Sequence, residues 1–91
     1  MRRSRENSQK WIQVCLKLSD EGAYRVYDEF DEKEVTKNGD GSFTVTASLP
    51  ENEWVIRYIL SFGSYVEVLS PPHIRDRLLN ELNKISSKYE R

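Results

Sequence analysis

One histidine, His73, and one cysteine, Cys15, are the side chains in this sequence best suited to nucleophilic chemistry. A nucleophilic site needs a histidine beside an activated nucleophile and an acid that orients the ring. No cluster of positive charge lies near Cys15 in the sequence to favour its reactive thiolate. We therefore interpret Cys15 as unreactive and His73 as a surface residue, and we expect no enzyme activity. A single cysteine also excludes an internal disulfide and a cysteine-based metal site.

Two segments could hold a metal ion. Positions 37–42, KNGDGS, are similar to part of a calcium-binding loop. Aligning Asn38 and Asp40 with the middle ligands puts Ala47 at the last position, where calcium needs a bidentate carboxylate, so a hairpin explains this segment better. The second segment is an acidic cluster that is typical of a solvated surface, formed by Asp28, Glu29, Asp31, Glu32 and Glu34. We expect neither a metal nor a cofactor.

The composition is that of a folded α+β domain, since 37% of the residues are hydrophobic and 32% are charged. A net charge of −1 provides no overall field that attracts nucleic acid or an anionic membrane. No apolar run approaches the roughly 18 residues that span a bilayer, and the basic N-terminus lacks the apolar segment of a secretory signal. We expect a cytoplasmic protein with a flexible linker at residues 1–10 and a single domain at residues 11–91.

Apolar and polar side chains alternate over residues 11–18 and 42–49, and this period of two predicts strands with one buried face. A short polar arm before the second of these strands predicts a hairpin. Its turn is assigned to Asn38-Gly39, because both residues tolerate the positive φ of a tight turn. A further strand is predicted from Tyr65 to Leu69.

Three segments show the spacing of apolar residues that is typical of helices. The first follows Ser19 or Asp20, either of which could accept a backbone N–H at the helix start. The second covers residues 51–62 and is closed by Gly63, which suits the left-handed position at a helix end. The third begins near Pro72. The three apolar rows are Ala23, Val26, Tyr27 and Phe30; Val55, Ile59 and Phe62; and Ile74, Leu78, Leu82, Ile85 and Tyr89.

The order of elements, β-α-β-β-α-β followed by an extra C-terminal helix, matches the ferredoxin-like sandwich. In this α+β fold a four-stranded antiparallel sheet carries two helices on one face, with strands one and three in the centre. We expect the core on the sheet face that carries Ile12, Val14, Leu16, Phe43, Val45 and Ala47. The open face would carry Trp11, Gln13, Cys15, Lys17, Thr44 and Thr46.

The third helix needs a surface that covers its apolar row. Exposing Leu78, Leu82 and Ile85 would forfeit roughly 1.5–3 kcal/mol for each side chain. The helix could cover part of the open sheet face, pack on the rim of the core, or dock on a second chain. We favour packing within the chain, with Trp11 as a packing residue under this helix.

RNA-recognition domains share this order of elements, and they stack bases on aromatic residues of the two central strands. Here Trp11 stands at the start of strand one, and strand three offers Thr44 and Thr46. A single-stranded nucleic-acid binder is therefore the alternative that these residues favour least.

Residues 54–82 carry the most specific pattern in the chain. Leu60 and Gly63 end a helix, the strand reads G-x-x-V-x-V-L-x-P, and the next helix opens with P-x-x-I-R-x-x-L. Further residues that fit the same pattern are Val14, Leu16, Leu18, Asp40 and Gly41. In these residues the chain resembles the C-terminal extension, called WCX, that follows the winged helix-turn-helix and WYL domains of WYL-domain transcriptional regulators.

This resemblance implies a ferredoxin-like module that makes dimer contacts and passes effector binding on to DNA-binding domains. The sequence has neither a helix-turn-helix nor the Trp-Tyr-Leu motif with basic residues that marks the WYL ligand pocket. In that family, DNA reading and the effector site belong to those parts. None of the family's functional residues is therefore carried onto this chain, which we expect to be the C-terminal piece of such a regulator.

We predict a regulatory and oligomerisation module of a bacterial WYL-type transcriptional regulator, without its own DNA contact or membrane association. Its expected partners are the parent's helix-turn-helix and WYL domains, with a second copy as a further candidate. The alternative is a ferredoxin-like sensor that binds a small ligand at a dimer interface. The residues expected at a partner interface are Trp11, Cys15, Tyr65, Leu78, Leu82 and Tyr89.

Overall fold

The computed structural model describes residues 10–90, so residues 1–9 of the predicted linker lie outside the described residues. Lys10, the last residue of that predicted linker, accepts a hydrogen bond on its carbonyl oxygen from the Glu51 N–H at 2.9 Å. The elements are strands β1 (Trp11–Leu18), β2 (Val35–Lys37), β3 (Phe43–Pro50) and β4 (Val66–Ser70), and helices α1 (Ala23–Glu29), α2 (Glu53–Leu60) and α3 (Pro72–Ser87).

The four strands form one antiparallel sheet in the order β2-β3-β1-β4. The two segments with the strongest alternation, β1 and β3, are the central strands, as predicted. Their register places Val14 opposite Ala47 and Leu16 opposite Val45. Because directly opposed residues of an antiparallel pair face the same side, the apolar residues of both strands form one continuous face. The predicted α+β architecture with a four-stranded antiparallel sheet is confirmed.

The core lies between this sheet face and the helices. Leu16, Val26, Val55, Ile59 and Ile74 are each 0% exposed, so the sheet and all three helices contribute enclosed side chains. Burying a large aliphatic side chain contributes roughly 1.5–3 kcal/mol. These contacts are therefore the main source of the domain's stability.

The hairpin between β2 and β3 corrects the predicted turn. The residue with positive φ is Gly41, at 93°, and neither Asn38 nor Gly39 adopts this conformation. The loop closes through a hydrogen bond of 2.8 Å from the Asn38 N–H to the Ser42 carbonyl. The Asp40 carboxylate accepts the Ser42 hydroxyl at 2.6 Å and the Ser42 N–H at 3.0 Å. Both hydrogen bonds lower the pKa of Asp40 below its ordinary value, and the bond from the Ser42 hydroxyl makes the larger contribution.

The helix starts also differ from the prediction. α1 begins at Ala23, after a 3-10 turn over Asp20–Gly22, and no side chain caps either element. The Ser19 N–H instead donates to the Tyr65 carbonyl at 2.9 Å, which fixes the end of β1 to the start of β4. α2 begins two residues later than predicted, because the Asn52 side chain accepts the Trp54 N–H at 2.9 Å.

The closing glycine of α2 is where the sequence predicts it. Gly63 has φ of 65°, and β4 begins after it at Val66, one residue later than predicted. Phe62, at the end of the predicted apolar row of α2, is buried although it lies just beyond the helix. The left-handed glycine thus turns the chain from α2 into the edge strand.

A cluster of aromatic and charged residues joins α1 to α2. The Tyr58 hydroxyl donates to Glu29 Oε1 at 2.8 Å, and the Tyr58 ring packs edge-on against Phe62 at 5.4 Å between centroids. The Arg25 guanidinium lies 4.1 Å from the centre of the Phe62 ring and donates to the Ser61 carbonyl at 2.7 Å. Burial, followed by the hydrogen bond to Glu29, raises the pKa of Tyr58 well above the ordinary value for tyrosine.

The positive φ of Gly63 gives a test of backbone strain. A Cβ would meet open space at both Gly63 and Gly39, but only Gly63 lies in the left-handed region. We expect Gly63→Ala to lower the free energy of unfolding by about 1 kcal/mol. Gly39→Ala, the matched control, should be neutral or slightly stabilising. Urea denaturation measures both; equal effects of the two changes would contradict the assignment.

The shifted Tyr58 predicts how stability depends on pH. The stability contributed by neutral Tyr58 is fully present below the pKa of an unfolded tyrosine, about 10, and is lost as the pH rises above that value. Between about pH 9 and pH 11, the free energy of unfolding should therefore fall more steeply for the wild type than for Tyr58→Phe. Tyr24→Phe, at a side chain that is 71% exposed, should keep the wild-type slope. Identical slopes for all three proteins would refute the role given to Tyr58.

Candidate interaction surfaces

The first half of α3 is fixed to the rest of the domain by apolar and polar contacts. Ile74 is fully buried in the core. His73 Nε2 lies 2.8 Å from Glu51 Oε2, and Arg77 Nη2 donates to the Asn52 carbonyl at 3.2 Å. The beginning of α3 is therefore held against the residues that precede α2.

The second half of α3 lacks such contacts. Along the predicted apolar row, Ile74 is 0% exposed and Leu78 is half-buried, but Leu82 is 41%, Ile85 40% and Tyr89 81% exposed. All residues from 82 to 90 are exposed. The described part of the chain therefore covers only the first half of this row.

The direction of α3 explains this exposure. The helix begins beside Glu51, just after β3 ends. Farther along, Leu78 and Leu79 line a groove of about 200 Å³ with Val66 and Val68 at the other end of the sheet. The helix thus follows the outer edge of β4, and its last turns extend beyond it. Of the three predicted placements, packing on the rim of the core is correct for the first half alone.

The open sheet face is not covered by α3. Trp11, predicted to pack under this helix, is 62% exposed, so that prediction is wrong. The helix lies along the edge of the sheet because Ile74 enters the core on the opposite face. Cys15 is half-buried on the open face, where the Thr46 hydroxyl lies 3.9 Å from its sulfur. Lys17 is in register with Thr44 on one side and Glu67 on the other.

The six predicted interface residues fall into two groups. Trp11 and Cys15 lie on β1 and belong to the open sheet face. Tyr65, which is 40% exposed, directly precedes β4. Leu78 and Leu82 lie on α3, and Tyr89 lies in the turn that follows it. Together the six do not form a single patch.

Two exposed apolar residues near the second group were missed. Leu79 is 53% exposed on α3, and Leu69 is 40% exposed where the register between β1 and β4 shifts. The adjacent pair Leu78-Leu79 was a usable signal, because Leu78 continues the apolar row and Leu79 lies about 100° away from it around the helix. The bulge at Leu69 depends on strand pairing, for which the sequence offers no signal.

The residues considered for chemistry make contacts with neighbouring side chains. Among residues 10–90, no group of three or more His, Cys, Asp or Glu side chains could hold a metal ion. In the acidic cluster, Glu29 binds Arg25 and Tyr58, and Glu34 accepts the Asp31 N–H at 3.0 Å. His73 is in contact with Glu51, and Cys15 is in contact with Thr46.

A polar groove of about 310 Å³ separates α2 from the middle of α3. Its charged residues are three cations and two carboxylates: Arg57, Arg77, Lys84, Glu53 and Glu81. Among residues 10–90, no ion pair joins these side chains to one another. The groove therefore presents a small excess of positive charge to solvent. No helix in the described residues is long and apolar enough to span a membrane.

The unequal packing of α3 predicts unequal effects of truncation. Ile74→Ala should lower the free energy of unfolding by roughly 2–5 kcal/mol, because it opens a cavity in the core. Ile85→Ala should change it by less than about 1 kcal/mol in dilute solution, since this side chain is already partly hydrated. Urea denaturation at low protein concentration measures both. A large loss for Ile85→Ala would mean that the row is buried within the monomer.

The comparisons with known proteins agree with the residue pattern of β4 and α3. The WCX domain family model matches residues 11–86. The chain is also 44% identical over 43 residues to the uncharacterized HTH-type transcriptional regulator YobV of Bacillus subtilis (strain 168). This alignment covers 47% of the chain and 14% of that regulator. Since the family model spans most of the sequence, the chain belongs to the WCX domain family.

Proposed function

We propose that this chain is the C-terminal regulatory and oligomerisation module of a bacterial WYL-type transcriptional regulator. Membership of the WCX family and the likeness to an HTH-type regulator support the regulatory role. The strand order, with β1 and β3 in the centre, supports a ferredoxin-like arrangement within the module. The module acts in the cytoplasm, and it performs no catalysis of its own.

The observation that carries the oligomerisation role is the uncovered apolar row on α3. Leu79, Leu82 and Ile85 on α3, and Tyr89 in the turn that follows it, are each at least 40% exposed. Isolated exposed apolar residues are common, but a contiguous group marks an interaction site. Helical turns that make no tertiary contact are also marginal in water. A partner that covers this row stabilises the helix and joins two molecules or two domains.

In the parent regulator, the helix-turn-helix and WYL domains read DNA and bind the effector. The module connects two such chains, so that a conformational change in one chain alters the conformation of the other. Its open sheet face offers a second surface for the domains that precede it, because Trp11 is exposed there at the beginning of β1.

The proposal predicts self-association of the isolated chain. Sedimentation velocity over roughly 10 µM to 1 mM should show a sedimentation coefficient that rises with concentration. Fusing the chain to a DNA-binding domain that represses only as a dimer should restore repression in cells. The unfused DNA-binding domain is the control. A monomer at every concentration, together with a fusion that does not repress, would refute the oligomerisation role.

The groove between α2 and α3 favours a second candidate, a sensor for a small anionic ligand. Its volume is at the lower end of the roughly 300–1,000 Å³ of ligand pockets, and Arg57, Arg77 and Lys84 supply its positive charge. In a thermal-shift screen of nucleotides and carboxylate metabolites, one ligand should raise the melting temperature of the wild type. The same ligand should have a smaller effect on Arg57→Ala. Absence of any shift would count against this candidate.

A further inference from the structure

We infer that α3 pairs antiparallel with α3 of a second copy of this chain. In this arrangement the rows formed by Leu78, Leu82, Ile85 and Tyr89 pack against each other. Glu81 of each chain then faces Lys88 of the other. The inference rests on the proposed oligomerisation role and specifies its surface, its partner and its direction.

The spacing of the row is that of a helix-pairing seam. Its members are separated by four, three and four residues, from Leu78 through Leu82 and Ile85 to Tyr89. This alternation is the repeat by which two helices keep an apolar seam in contact. A single shallow contact with a globular surface does not require the repeat to continue to Tyr89, which lies in the turn after Ser87, about four helical turns beyond the buried Ile74.

The anchoring of α3 is compatible with the antiparallel direction. The first half of the helix lies on its own domain, since Ile74 is buried and His73 contacts Glu51. Parallel pairing of the exposed halves would place both domain bodies side by side at the same end of the seam. Antiparallel pairing places the bodies at opposite ends. The end of each helix then reaches Leu78 of the other chain.

The charges beside the row select the same direction. Glu81 and Lys88, the C-cap residue of α3 with helical φ and ψ, are seven residues apart, so they lie on the same flank of the seam. When Leu82 opposes Ile85 of the second copy, antiparallel geometry brings Glu81 of each chain near Lys88 of the other, giving two attractive pairs. In a parallel pair, Glu81 would meet the uncharged Ser86 instead. Among residues 10–90, neither Glu81 nor Lys88 already belongs to an ion pair.

The flank of the seam opposite Glu81 and Lys88 allows the two helices to approach each other closely. It carries Leu79, which is 53% exposed, and Ser86. In the antiparallel register each Leu79 meets the small Ser86 of the second copy and loses contact with water. The seam covers only about three helical turns, so the interface is at the small end and the dimer of the isolated chain is weak. In a parent regulator, other contacts between the two chains would raise the effective concentration at this seam.

Charge reversal tests the arrangement with little effect on the core. Glu81→Lys and Lys88→Glu each replace two attractive pairs by two repulsive ones, and each should raise the dimer dissociation constant by about tenfold at low salt. The double variant Glu81→Lys/Lys88→Glu has the wild-type net charge and restores both pairs. Its dissociation constant should return to the wild-type value.

The matched control is Lys84→Glu, which makes the same change of charge one turn before Lys88. Lys84 lies two residues after Leu82, so helical spacing puts it on the side of α3 away from the seam, whereas Glu81 directly precedes Leu82 and flanks it. This variant should dimerise as the wild type does. Sedimentation velocity measures association of the 91-residue chain, and circular dichroism checks that each variant keeps its helix content.

Two outcomes would overturn the inference, and they differ in what they say about the proposed function. A wild-type dimer that responds equally to Lys84→Glu and Lys88→Glu, or that the double variant fails to restore, would place the contact on another surface. In that case the oligomerisation role would stand. A wild-type chain that stays monomeric at every concentration would overturn both. Weakening by each single reversal with recovery in the double variant is the supporting result.

Discussion

The pairing of β1 with β3 is the constraint on which the rest of the structure depends. It runs in unbroken register from Trp11 opposite Pro50 to Leu18 opposite Phe43. Because side chains alternate along a strand, a slip of one residue would turn Leu16 and Val45 out of the core. The fixed register thus creates one apolar face for the helices and one open face with threonine, lysine and glutamine. The direction of every later element follows from which face it must cover.

Residues 10–90 cover only one of these faces, since small domains bury a limited share of their surface. α1 and α2 occupy most of the apolar face, and Ile74 of α3 fills the space that remains along β4. Beyond Leu78, α3 therefore has no apolar surface among residues 10–90 to cover. The open sheet face and the exposed row of α3 differ in the free energy of their exposure, because exposing threonine to water is less unfavourable than exposing leucine. This inequality favours α3 over the open face as the place where a partner binds.

Periodicity was sufficient to predict the number and type of the main elements and the identity of the central strands. It could not predict which loop residue turns the hairpin. The pairing of Lys37 with Phe43 leaves a five-residue loop, and this length moves the left-handed position from Asn38-Gly39 to Gly41. Nor could it place Trp11, because a residue on a polar sheet face is buried only if another element crosses that face. The apolar row of α3 was visible in the sequence, but the direction in which the helix leaves the sheet was not.

That direction is set by contacts at the beginning of α3 that contribute little apolar burial. The pair His73–Glu51 and the bond from Arg77 to the Asn52 carbonyl hold the helix at two positions one turn apart. With Ile74 alone as an anchor, the helix could rotate about a single contact. Three contacts on one turn fix its axis, so the exposed row points in a defined direction from the sheet. A helix that is fixed at its beginning holds its C-terminal turns in a defined position, so these turns can make a specific contact. The polar interactions of His73 and Arg77 therefore determine where the exposed row can bind a partner, although they do not contact that row.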